Sequence, residues 1–148
     1  MTKPGWPSLA AIGLAGLLAS TLHGQQPAAR TTNDRIFTDE QAKRGGVLYR
    51  ERCAMCHGEE LSGVEMAPPL AGPMFQGDWN AATLGELFER IRVSMPMDKP
   101  GTLSRQQAVD LVAFILSANK APTGPNDLPP EIEILNAIKL EVPRPSSQ

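Results

Sequence analysis

The 148-residue chain holds only two cysteines, at positions 53 and 56, two histidines and a 5% share of aromatic residues. Two cysteines exclude a multi-bridge secreted scaffold and any four-cysteine zinc or iron–sulfur site. No dense basic block occurs and the formal net charge is −2, so the electrostatic footprint of a nucleic-acid partner is missing. The longest apolar run, Ser8 to Leu22, has 15 residues, short of the roughly 20 that a membrane-spanning helix needs. No segment shows convincing strand alternation. Few aromatics beside 14 prolines and 13 glycines point to a small, loop-rich core. A core of that size usually recruits a disulfide, a metal or a cofactor into its interior.

Residues 1–24 carry Lys3 and then the apolar run, ending at Gly24 before the polar Gln25. This reads as a cleaved export signal, which places the mature protein in the periplasm; the alternative is a retained membrane anchor. No cysteine follows the run, which excludes lipid attachment there. Cleavage after Gly24 leaves 13 basic against 16 acidic residues, a mildly acidic protein. Residues 25–36 are polar with Pro27 and read as a flexible lead-in.

Three later segments open on one signal, a Thr or Ser followed three residues on by Glu or Gln, which satisfies free amides at a helix N-terminus reciprocally. The first runs from Thr38, with Gln41, to about Cys53 and sets Gly45 and Tyr49 one turn apart. The second pairs Thr83 with Glu86, carries Leu84, Leu87, Phe88 and Ile91 as a stripe, and stops before Pro96. The third pairs Ser104 with Gln107, carries Val109, Val112, Ile115 and Leu116, and ends near Asn119. These elements predict an all-α domain over 37–121, with loop from Gly58 to Gly101 outside the second helix. So much ordered loop needs something to wrap around. Residues 122–148 form a proline-rich tail, with a short helical turn between Glu131 and Leu140 able to lie against the domain or meet a partner.

Cys53-Ala54-Met55-Cys56-His57 is the pattern of covalent c-type haem attachment. Two thiols one helical turn apart reach both vinyl groups of one porphyrin edge, and the next histidine is carried to the iron. The competing readings are a disulfide, a thioredoxin-like redox pair and half of a zinc site. The redox pair lacks its βαβ setting, and zinc lacks further ligands, since the other histidine, His23, lies in the export signal. A thioether suits the sixth iron position of an electron carrier. Met66 and Met74 flank the Pro68–Pro73 segment and suit packing on the ring. Met95, extended before Pro96, is the expected ligand, with Met97 the alternative.

Gly45 and Tyr49 before CAMCH, Ala67-Pro68-Pro69-Leu70 after it, Met95-Pro96, and Asp110-Leu111-Val112-Ala113-Phe114 together resemble the class I cytochromes c. The resemblance implies that the first and last helices cross, with Gly45 and Tyr49 against Leu111 and Phe114. It also implies that the Pro68 carbonyl holds the second ring nitrogen of His57 and that Leu70 presses on the haem. The family usually has Gly where this chain has Ala67, which implies a different local turn. Trp79 is a candidate hydrogen-bond donor to a haem propionate and Arg92 a candidate charge partner. The loop from Met95 to Ser104 is similar to that of small bacterial cytochromes serving periplasmic alcohol or sugar dehydrogenases.

The implied function is one-electron transfer by a carrier with one haem c, not an enzyme, whose redox partners are proteins such as a periplasmic dehydrogenase or a terminal oxidase. The membrane takes part only if the N-terminal segment is retained. The alternatives are the cytochrome subunit of a dehydrogenase complex, or a haem protein with an open sixth position acting as sensor or enzyme.

Overall fold

Capping and apolar periodicity build a set of helices that the structure, a computed structural model, describes over residues 1–2, 30–65 and 67–141. The export signal, apart from residues 1–2, lies outside the described residues. So do the first part of the lead-in, Met66 and the last seven residues. Helix α1 spans Asp39–Arg52, α2 Ala54–His57, α3 Gly72–Trp79, α4 Leu84–Ser94, α5 Arg105–Ala118 and α6 Ile132–Asn136. Two short parallel strands, β1 (Arg30–Thr31) and β2 (Ile138–Lys139), complete the elements. None of the described helices is long and apolar enough to cross a membrane.

The three capping signals act differently. Thr83 with Glu86 and Ser104 with Gln107 form complete reciprocal boxes at the starts of α4 and α5. At α1 only half the box exists: the Thr38 hydroxyl accepts from Gln41 N at 3.0 Å. The Gln41 amide is occupied elsewhere, donating to Leu128 O at 2.9 Å and accepting from Leu128 N at 2.7 Å. Both residues are buried, so this pair joins α1 to the C-terminal segment where water cannot replace it.

The core is centred on the crossing of α1 and α5, the most extensive helix contact. A Cβ on Gly45 would stand 1.9 Å from the Asp110 backbone oxygen and 2.9 Å from Phe114 Cβ, so glycine is what permits this approach. Tyr49 and Phe114 stack there with ring centroids 5.0 Å apart.

Two departures from the sequence expectations concern short or distant pairings. Residues 58–101, read as loop outside the second helix, contain α3 as well as the expected α4, and α3 is too short, at eight residues, for apolar periodicity to reveal it. Its Gly72 takes φ +81 ahead of Pro73 at the helix start. Residues 30–36, read as a flexible lead-in, instead form β1 and bury Thr32 and Ile36, because their partners lie about a hundred residues away. Thr32 Oγ1 donates to Glu141 O at 2.6 Å and accepts from Glu141 N at 3.0 Å.

Residues 122–141 wrap the helical body as a strap. Leu128, Leu135, Ile138 and Leu140 are fully buried, and α6 lies on α4. Gly124 N donates to Phe37 O at 2.6 Å, and Arg105 donates to Pro130 O. Arg44 pairs with Asp110 on α5 at 3.2 Å and with Asp127 on the strap at 2.5 Å.

Candidate functional site

The site is built where α1 gives way to α2. Cys53 breaks the helix with φ −126 and ψ −35, and His57 N returns to Cys53 O at 2.9 Å, closing one turn that carries both thiols and the imidazole. Gly58, at φ +79, ends α2 in a conformation favourable only to glycine. The Tyr49 hydroxyl donates to Gly58 O at 2.7 Å, so the helix crossing also fixes the end of this turn.

His57 is 8% exposed and its Nδ1 donates to Pro68 O at 2.8 Å. A carbonyl only accepts, so Nδ1 carries the proton and Nε2 keeps its lone pair. The loop that delivers Pro68 is held at three points. Gly63 N donates to His57 O at 2.8 Å, Leu70 N donates to Leu61 O at 2.8 Å, and Asn119 Nδ2 donates to Leu70 O at 2.9 Å. The loop approaches itself closely at Gly63, where a Cβ would stand 2.6 Å from Ala67 O.

Asn119 is a residue the sequence reading saw only as a helix end. Besides Leu70 O it accepts from Gly72 N at 3.0 Å, so the cap of α5 clamps the entry to α3. An asparagine at a helix C-cap is the signal that was available.

Met95 caps α4 in extended geometry, φ −116 and ψ 151, and is half-buried; Met97 is 80% exposed. Trp79 ends α3, half-buried, with its ring centroid 6.2 Å from that of Phe75. Arg92 is turned to its own helix, donating to Glu89 at 2.9 Å and 3.1 Å. The structure thus brings His57, Pro68 and Leu70 into one connected loop, sets Trp79 and Met95 at the ends of α3 and α4, and engages Arg92 with Glu89.

The residues present fit a covalent haem. Both cysteines are free thiols, Cys56 exposed and Cys53 partly so. Burial pushes the Cys53 thiol up to about 11, which keeps it protonated at neutral pH and unlike an activated redox thiol. Among the described residues no three His, Cys, Asp or Glu side chains gather to hold a metal ion by themselves. The His57 ring offers one unprotonated nitrogen. Met55, Val64 and Met74, on α2, the following loop and α3, are exposed apolar side chains. Among the described residues no other helix packs extensively against α3, which the Asn119 clamp ties to the end of α5.

Residues 40–115 match the family described as cytochrome c oxidase, cbb3-type, subunit III. Among solved structures the chain is similar to the sulfane dehydrogenase SoxCD from Paracoccus pantotrophus, with 22% identity and a TM-score of 0.45. That likeness covers 64% of this chain and 52% of the other, so the chain spans about half the length of its structural neighbour. No curated protein matches closely enough in sequence to count as a relative.

Proposed function

The chain belongs to the cbb3-type cytochrome c oxidase subunit III family, as a c-type cytochrome domain that carries covalent haem c and transfers electrons, and we propose that His57 and Met95 are the residues that would hold its iron. When bound, the haem supplies reversible one-electron exchange at iron. The observation that carries the proposal is the His57 Nδ1 contact with Pro68 O, which orients the ring and leaves Nε2 as the only ligating nitrogen. The half-buried position of Met95 at the α4 cap, against the exposed Met97, favours Met95 as the thioether donor.

In this reading Cys53 and Cys56 hold the group covalently, Pro68 and Leu70 form one side of its surroundings and Trp79 another. Arg92 contributes charge only through its pair with Glu89. With His57 and Met95 both holding the iron no substrate would reach it, so in this reading the protein is a carrier and not an enzyme. It acts in the periplasm and exchanges electrons with partner proteins through small, transient contacts. A dehydrogenase as donor and a terminal oxidase as acceptor fit that role. The family description, which names an oxidase subunit, favours a second reading in which the chain works as a subunit of an oxidoreductase complex.

The test is the visible spectrum of the holoprotein, with and without carbon monoxide. The wild type is expected to show the weak far-red band of methionine on ferric iron and no carbon monoxide response when reduced. Met95→Ala should lose the band and bind carbon monoxide while keeping haem through denaturation. An unchanged Met95→Ala spectrum, with the band lost in Met97→Ala instead, sinks the assignment.

A further inference from the structure

Strand β2 and the residues after it lie between two partners. On one edge Arg30 and Thr31 pair with Ile138 and Lys139. On the other, Leu140 exchanges backbone hydrogen bonds with the segment joining α3 to α4: Ala81 N donates to Leu140 O at 3.2 Å and Leu140 N to Ala82 O at 2.8 Å. A further bridge joins Lys139 to Thr83, the cap of α4. Ala82 N in turn donates to Trp79 O at 3.1 Å. The segment does not favour this shape by itself, since Ala81 sits at φ +70, which an alanine adopts only when its surroundings over-determine it.

The same strap carries α6. A Cβ on Gly85 would stand 2.0 Å from Asn136 Oδ1 and 3.1 Å from Ile132 Cδ1, so glycine in the first turn of α4 is what admits α6. Helix α4 packs on α6 at least as extensively as on α5. The far end of α4 is Met95. Strap residues thus hold both the segment after Trp79 and the helix that ends at Met95, and all of them lie outside the family-matched 40–115.

We propose that the strap is a positioning element of the haem site: Leu140 and α6 hold Trp79 and α4 in place and so limit the access of water to the haem. This rests on the haem reading above. Water admitted to a haem pocket favours the more highly charged ferric state, so loosening the strap should lower the reduction potential.

The experiment uses full-chain holoprotein as wild type, Leu140→Ala, Leu140→Met and Gly85→Leu. Its readouts are the midpoint potential, the carbon monoxide association rate and amide exchange. Leu140→Ala and Gly85→Leu should speed exchange at the Ala81 and Leu140 amides by about tenfold, while α1 and α5 amides stay slow. Both should lower the potential and raise the carbon monoxide rate. Leu140→Met, which conserves volume, should match the wild type. Faster Ala81 exchange with potential and carbon monoxide rate both unchanged overturns the proposal, as does unchanged Ala81 exchange in both variants. If Leu140→Ala fails to fold, Gly85→Leu decides, since it leaves Leu140 intact. A wild type that binds carbon monoxide at once refutes the Met95 ligation instead, and the potential difference still judges the strap.

Discussion

The family-matched body and the strap that closes over it are stabilised in opposite ways. In the body, neighbours in sequence start and orient the helices, since boxed caps begin α4 and α5 and apolar stripes turn them inward, before one glycine lets α1 meet α5. In the strap, most hydrogen bonds outside α6 span a long stretch of chain, from Gln41 to Leu128 and from Thr32 to Glu141. The first kind of region folds from local preference and the second from closure of a long loop, which makes the strap the more separable part.

The largest effect expected from this contrast is at Gly45. Gly45→Ala forces a Cβ into the Asp110 backbone and should cost about 3 kcal/mol, the upper end for overpacking. Urea unfolding should show a single lowered midpoint, because the α1–α5 crossing serves the whole molecule. Two separate transitions would show that the crossing is not shared.

Gln41→Ala should sharpen the contrast from the other side. It leaves the buried N–H and C=O of Leu128 unpaired, at a cost of roughly 1–3 kcal/mol. The loss should appear as faster amide exchange at Leu128 and along 124–130, with α5 amides unchanged. Uniform acceleration across α1 and α5 would mean that the strap and the body open as one unit.

The smallest effect concerns acid. The Thr38 hydroxyl, and then Arg44, hold the Asp127 carboxyl below its ordinary value of 3.8. Its stabilising contribution is complete above that value and is lost as pH falls through the lower folded value. The exposed setting of the Arg44 pair keeps the contribution modest. The urea midpoint of the wild type should therefore fall more between pH 7 and pH 3 than that of Asp127→Asn. Equal falls in the two proteins would exclude Asp127 as a contributor.

Legibility in the sequence follows the same division. The CAMCH turn, the caps at Thr83 and Ser104, the stripes of α4 and α5 and the Gly45–Tyr49 pair are all local signals, and the structure places each within the elements expected. Gln41 shows where local reading stops: its spacing from Thr38 is that of a box, yet its amide serves Leu128, which no nearby residue foretells. Arg92 teaches a related lesson, because its guanidinium pairs with Glu89 three residues earlier on its own helix, a local spacing readable in the sequence. Helix α3 and the strands were unreadable for the plain reason that eight residues and two residues carry too little period. Asn119 as clamp of Leu70 and Gly72 required knowing that α5 ends beside the His57 loop.

Because β1 and β2 run parallel, tension applied at Arg30 and at Glu141 pulls the two strands in opposite directions along their length. The paired residues, with the Thr32–Glu141 bonds beside them, then bear the load together in shear instead of opening one after another. A force applied between Arg30 and Glu141 meets this clasp before it reaches α4 or the turn that carries His57.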